Sequence, residues 1–256
     1  MIPLAELFDT PRPVALVTGS GAKRVGNAIA KKLAEHGCAV VIHANRSHKE
    51  AQQTVADFKA AGHDATALLA DLSDEYAVRK LVDDAFAWKG RLDILVNAAA
   101  IWSPAPLEIV TAADVRKNFE INTLATFVAC QHAGLKMASQ PRGGAIVNIG
   151  DWAIARPYQD YAAYFPSKGA IPALTRDFAV ELAARNSRIR VNAVLPGPVM
   201  LPPELSEVER SQAIAGTLVK REGSPEHVAD AVAFLVGNDF VTGVCLPVDG
   251  GRTIAG

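Results

Sequence analysis

Val14-Ala15-Leu16-Val17-Thr18-Gly19-Ser20-Gly21-Ala22-Lys23-Arg24-Val25-Gly26 is the stretch that decides how this chain folds. Four consecutive apolar residues suit a strand buried on both faces. The glycine-rich turn after them runs into a helix-like stretch from Gly26 to His36, closed by Gly37. In a strand, glycine turn and helix of this kind, the free N–H groups at the helix start can meet a pyrophosphate, and glycines let the backbone approach it. Gly19, Gly21, Arg24, Val25 and Gly26 are the candidate contacts on that side.

The same alternation continues outward from this turn. Ala39 to Ile42, Thr66 to Ala70, Ile94 to Val96, Ala145 to Ile149, Arg190 to Val194 and a run near Val244-Cys245-Leu246 read as strands. His48 to Ala61, Asp74 to Trp88, Thr111 to Ser139, Ala162 to Arg185 and Pro225 to Val236 read as the helices between them. The Thr111 to Ser139 helix is interrupted by nothing stronger than Gly134. Strands apolar on consecutive residues, separated by helices, predict an α/β chain with parallel strands. The expected fold is a single-domain, Rossmann-like doubly wound parallel sheet with helices on both faces. It spans 1–256, with an N-terminal extension at 1–11 and a mobile substrate flap at 196–212, where Pro and Glu are frequent.

The end of the second strand selects the cofactor. A dinucleotide site of the NAD type carries an acidic residue there, accepting from the ribose 2′-OH. This chain has His43-Ala44-Asn45-Arg46-Ser47, with no carboxylate. Arg46 can give a charge-assisted fork to a 2′-phosphate, Ser47 can donate a hydroxyl, and His43 and Asn45 stand beside them. The expectation is NADP(H).

Tyr164-Phe165-Pro166-Ser167-Lys168 places a phenol and an ammonium at i and i+4, on one face if the segment is helical. A nearby cation lowers a phenol's pKa toward neutrality, which suits a proton donor in hydride transfer. Pro166 and Pro172 sit where that helix should be continuous. Pro172 cannot donate to the Lys168 carbonyl, so a local distortion is predicted there.

From about Arg12 to Gly251 the chain resembles the short-chain dehydrogenase/reductase family. The resemblance rests on Thr18-Gly19 with Gly26, Asp71-Leu72, Asn97-Ala98, Asn122 within Glu120-Ile121-Asn122, Tyr164 with Lys168, Pro196-Gly197 and Asp249-Gly250-Gly251. It implies cofactor contacts at Asp71 and Leu72, at Asn97, Ala98 and Ala99, and at Pro196, Gly197 and Val199. It also implies that Asp71 holds the adenine and Asn122 anchors a water chain to Lys168. Lys168 then holds the nicotinamide ribose and Tyr164 donates the proton. A homotetramer packed through the long fourth and fifth crossover helices is implied as well; the Ala-rich run Phe178 to Ala184 suits close helix approach or ordinary core.

Two departures from the family pattern carry information. The turn from Thr18 to Gly26 is one residue longer than usual, which leaves open which glycine meets the pyrophosphate. The position thirteen residues before the tyrosine, normally a serine, is Asp151. An ionised aspartate cannot donate to a developing oxyanion, so Asp151 argues against a plain ketone unless burial keeps it protonated. It fits a nitrogen heterocycle, whose C=N reduction needs a proton on nitrogen. The substitution resembles the pteridine reductase branch, as do Ala22 to Gly26, His43 to Ser47, and Trp102, which that branch would stack on a pterin. The resemblance gives Arg24 contact with both cofactor phosphate and substrate. Trp102, Asp151, Tyr164 and Arg24 are thus the substrate-side candidates; Tyr164, Lys168, Asp151 and Asn122 are the catalytic ones.

The alternatives are a reductase of a ketone such as a 3-oxoacyl thioester, a steroid or a sugar, and a catalytically silent NADP-binding sensor or scaffold. Composition narrows the partners. The chain has 26 Lys and Arg against 27 Asp and Glu, a formal net charge of -1, so nucleic acid is not expected. No apolar run reaches the roughly 18 residues of a membrane span, and no basic leader precedes an apolar run at the start, so a cytoplasmic enzyme on a small molecule is expected. Three separated cysteines, Cys38, Cys130 and Cys245, predict neither a disulfide framework nor a metal site.

Overall fold

The computed structural model describes residues 2–255; Met1, the first residue of the expected extension, and Gly256 lie outside the described residues. In chain order the elements are α1 (Leu4–Leu7), β1 (Val14–Val17), α2 (Val25–Glu35), β2 (Ala39–Ala44), α3 (His48–Ala60), β3 (Ala65–Leu69), α4 (Glu75–Lys89) and β4 (Ile94–Asn97). There follow α5 (Ala112–Asn118), α6 (Ala125–Ala138), β5 (Gly144–Ile149), α7 (Tyr164–Ala183), β6 (Ile189–Pro196), α8 (Glu207–Ala215), α9 (Pro225–Gly237) and β7 (Cys245–Val248).

All strands pair in parallel, in the order β3-β2-β1-β4-β5-β6-β7. Every residue of β1, β2, β4 and β5 is buried, which is why these strands read as unbroken apolar runs. One face of the sheet packs on α2 and α9 through Ile29, Leu33, Val228, Val232 and Leu235. The opposite face packs on α4, α6 and α7 through Val78, Leu81, Val128, Phe178 and Leu182. Each such side chain stabilises the fold by roughly 1.5–3 kcal/mol. The order reverses between β1 and β4, and their carboxyl ends open the crevice in which ligands of such sheets bind.

Two local expectations change. First, the Thr111 to Ser139 helix is interrupted at Phe119–Leu124, which forms a π-helical turn between α5 and α6. Gly134 does not interrupt it; an added Cβ there would run into the Leu182 side chain, so that glycine serves helix packing. Second, α7 runs unbroken from Tyr164 to Ala183 through Pro172, so the expected distortion does not end or divide the helix. Pro166 lies in the first turn, where N–H groups lack helical acceptors in any case. The segment 196–212 carries regular structure at both ends. Pro196 ends β6, and Ser206 with Glu209 forms a reciprocal capping box that starts α8. Within the Ala-rich run, Phe178, Ala179 and Leu182 face the core, while Val180 is exposed.

Candidate active site

The turn after β1 is fixed from both sides. Thr18 Oγ1 accepts from the amides of Ala98 (3.0 Å) and Ala99 (3.1 Å), which ties the end of β1 to the end of β4. Gly19 has φ 65°, and a Cβ there would lie 2.8 Å from the Ala99 Cα. A Cβ on Gly26 would lie 2.6 Å from the Gly19 carbonyl oxygen. Gly19 and Gly26 therefore let the turn lie close against the β4 end and the helix start. Gly21 instead packs on Ala44 and Ala51. The amides of Val25 and Gly26, at the start of α2, have no acceptor among the described residues, as an anion-binding helix start requires.

His43 supports this turn from below. It is 2% exposed; its Nδ1 accepts from the Gly19 amide at 3.0 Å, which leaves the proton on Nε2 to be donated to the Ala70 carbonyl at 3.1 Å. Burial lowers its pKa and keeps the ring neutral. Asn45 and Arg46 are exposed at the mouth of the crevice, with Ser47 half-buried beside them. The exposed Asp71 carboxylate accepts from the Ser73 amide (3.0 Å) and hydroxyl (2.8 Å), which hold its pKa below the usual carboxylate range.

Across the crevice, Asp151 leaves the end of β5 and Tyr164 begins α7. The Tyr164 hydroxyl donates to Asp151 Oδ2 at 2.8 Å, while Asp151 Oδ1 accepts from the Ala153 amide at 2.8 Å. Burial raises the Asp151 pKa. Burial and the adjacent Asp151 charge push the Tyr164 phenol far above its ordinary value. Lys168, one turn along α7 and 3% exposed, donates from Nζ to the Ile149 carbonyl at 2.8 Å; burial lowers its pKa to about 8. Asn122 is fully buried inside the π-helical turn. Its side chain exchanges two 2.9 Å hydrogen bonds with the Ile101 backbone and donates to Ser167 Oγ at 3.0 Å. A turn with π geometry is a frequent companion of functional sites in helices.

This candidate catalytic group stands beside an aromatic wall. Trp102 stacks on Tyr161 with ring centroids 5.4 Å apart and planes 7° from parallel. Tyr158 meets Tyr161, Phe165 and Trp152, and Tyr161 meets Tyr164. Asp160, in the left-handed region at φ 70°, turns its carbonyl to accept from the Ala105 amide at 2.8 Å, joining the two loops that carry this wall.

A family model described as enoyl-(acyl carrier protein) reductase matches residues 21–253, which includes the catalytic group and most of the glycine turn. The chain belongs to the short-chain dehydrogenase/reductase family. It is 39% identical over 245 residues to a cis-4-hydroxycyclohexanecarboxylate dehydrogenase of Sinomonas cyclohexanicum, covering 94% of this chain and 96% of that one. Among solved structures it is similar to a blue fluorescent protein from a metagenomic library in complex with NADPH, with a TM-score of 0.85 and 35% identity over 94% of this chain and 97% of that chain. A dehydrogenase/reductase from Sinorhizobium meliloti gives a TM-score of 0.87 and 34% identity, over 97% and 98% of the two chains.

Within this short-chain dehydrogenase/reductase, Asp151, Tyr164 and Lys168 come together on one side of the crevice. Two expected roles change. His43 has both ring nitrogens engaged inside the protein, so it holds the Gly19 turn and has no free nitrogen for a phosphate. The Tyr164 phenol is held above its ordinary pKa by burial first and then by Asp151, which accepts its hydrogen bond, and Lys168 does not offset them. The Asn122 side chain reaches Ile101 and Ser167.

The remaining candidates divide by orientation. The Asn97 side chain points into a buried cluster with Asn148 and Cys130, so a dinucleotide would meet only its backbone. Leu72 is buried, and Gly197 packs on Asp249 with its amide donating to the Val248 carbonyl at 3.0 Å. Pro196 and Val199 flank that glycine at the crevice end of β6. Arg24 is the exposed N-cap of α2 and has no hydrogen bond to Trp102, Asp151 or Tyr164 among the described residues. The sequence reading missed Tyr158, Tyr161, Trp152, Phe165 and Ser167. A tyrosine at every third position from Tyr158 to Tyr164 was the signal available for the wall.

Proposed function

We propose that this enzyme is an NADPH-dependent reductase that adds hydride to the C=N bond of a pteridine-type heterocycle. The bound dinucleotide supplies the hydride. The cradle suits it: Gly19 and Gly26 leave no Cβ against the turn, and Arg46 and Ser47 replace the carboxylate that would repel a 2′-phosphate. The likeness to a structure solved with NADPH supports the same cofactor.

The Tyr164–Asp151 hydrogen bond carries the substrate reading. As hydride reaches the carbon, the C=N π pair moves to nitrogen, which takes the phenolic proton of Tyr164. Asp151, whose buried carboxyl holds a proton more readily than an ordinary aspartate, returns one to the phenolate. The Lys168 ammonium steadies the resulting negative charge. Once it has given up that proton, the Asp151 carboxylate accepts ring N–H groups, which a ketone lacks, and it opposes an alkoxide forming beside it. Trp102 and Tyr161 offer a flat stacking surface to a heteroaromatic ring, worth roughly 0.5–1.5 kcal/mol beyond area burial.

A second reading, reduction of a carbonyl, is favoured by the similarity to a dehydrogenase of a hydroxycyclohexanecarboxylate. An NADPH-oxidation screen with dihydrobiopterin, dihydrofolate and acetoacetyl thioesters separates the two: turnover confined to the thioesters overturns the pteridine reading. NADPH binding without turnover of any substrate supports a silent sensor. We also propose a homotetramer built through α5, α6 and α7, supported by the exposed apolar residues Phe119, Leu124, Leu135 and Val180; light scattering measures it.

A further inference from the structure

The turn after β7 is set by Asp249, whose carboxylate accepts from the amides of Gly251 (2.9 Å) and Thr253 (2.7 Å). This aims Arg252 across two elements at once. On one side its guanidinium carbon sits 4.8 Å over the Trp152 ring. On the other its Nη1 donates to the Ala213 carbonyl in α8. Gly216, which ends α8, makes room for it: a Cβ there would overlap the guanidinium nitrogen. Arg156, four residues past Trp152, donates back to the carbonyls of Arg252 and Ala255 and fastens the same turn to the same loop.

The two elements joined in this way are the flap and the catalytic loop. Trp152 follows Asp151 directly and stacks on Tyr158, its ring centroid 6.5 Å away. α8 closes the segment that leaves the end of β6. The start of that segment has its own tie: Glu222 Oε1 accepts from the Leu201 amide at 3.0 Å and Oε2 from Arg210 Nη1 at 2.7 Å. Glu222 therefore holds the base of the flap, and Arg252 holds its far end to the wall beside Asp151.

We propose that Arg252 is a positioning residue that couples α8 to the Asp151–Trp152 loop, so that flap and catalytic carboxyl are set together when substrate is enclosed. A guanidinium suits this task because its planar face lies on an aromatic ring while its edge donates. The inference rests on the Tyr164–Asp151 centre as the reducing site, and not on which substrate is taken.

The test uses Arg252→Met, Arg252→Lys and Gly216→Ala in the full chain. Gly216 has φ -74°, a helical value that alanine adopts freely, so its variant disturbs the contact with Arg252 and not the backbone. A glutamate-specific protease reads the flap at Glu204, Glu207 and Glu209, with Glu50 and Glu75 as sites remote from it. Arg252→Met and Gly216→Ala are expected to speed cleavage in the flap by ~5–20-fold and leave the remote sites unchanged. With a reducible substrate, KM should rise ~10-fold while kcat stays within about threefold, and lysine should restore part of the loss. Wild-type flap cleavage in both folded variants overturns the proposal, as does acceleration at the remote sites to the same degree. If Arg252→Met does not fold, Gly216→Ala decides. Cleavage is read without substrate, so an empty substrate screen counts against the reductase reading alone.

Discussion

The Tyr164 phenol donates to Asp151 Oδ2 at 2.8 Å, across thirteen residues that run from the end of β5 to the start of α7. In the proposed reduction this pairing sets the proton chemistry of the site. In that reduction the proton that Tyr164 gives up is replaced from the Asp151 carboxyl, whose pKa burial raises.

Replacing the carboxyl tests this directly. Asp151→Ser removes the relay and leaves Tyr164 and Lys168 in place. Dihydropterin kcat/KM is expected to fall ~100-fold or more, the usual range for a lost proton-transfer group. Ketone reduction should hold or rise, because a serine can donate to an oxyanion. Dihydropterin turnover unchanged in this variant would show that Asp151 relays nothing.

Lys168 predicts a pH-dependent stability. Its folded pKa of about 8 lies below its ordinary 10.5, so between those values the unfolded chain binds more protons than the folded one. Stability from this group therefore rises as pH goes from about 8 to 10.5 and is lost as pH falls back through 8. The full effect is up to roughly 3 kcal/mol. Melting temperatures of Lys168→Met and the parent, followed from pH 7 to 10.5, should show the parent gaining on the variant; parallel curves contradict the assignment.

Asn122 is expected to be structural first. It satisfies both backbone groups of Ile101 and meets Ser167 in a fully buried turn. Asn122→Ala should destabilise the fold by roughly 2–4 kcal/mol, since buried polar groups lose their partners. Denaturant unfolding measures it, and a loss under about 0.5 kcal/mol, the scale of an ordinary surface change, contradicts this account.

Arg46 should set cofactor choice. Arg46→Asp places a negative charge where a 2′-phosphate is expected, so kcat/KM with NADPH should drop ~100-fold while NADH changes little. Equal losses with both cofactors would mean that Arg46 supports the loop and does not read the phosphate.

Much of the site follows from local order in the chain. Tyr164 and Lys168 at i and i+4 share a helix face wherever α7 forms, and Thr18 to Gly26 makes a phosphate-sized turn because it joins a buried strand to a helix start. His43 shows where such reading stops. As one residue of His43 to Ser47 it looked like a partner of Arg46, yet β2 directs its ring inward between Gly19 and Ala70. Which face of a strand a polar residue takes depends on what lies on either side of the sheet.

The amino-acid order by itself determined the doubly wound sheet, because buried parallel strands must be apolar on both faces and glycines must mark the close turns. It also placed the absent carboxylate after β2 and the aspartate at residue 151. Only the three-dimensional packing decided that Asp151 receives the Tyr164 proton's hydrogen bond, that Asn122 sits in a π-helical turn, and that Arg252 spans α8 and Trp152. Those facts depend on distances between residues far apart in the chain and on their removal from water, and neither quantity has a local signature in sequence.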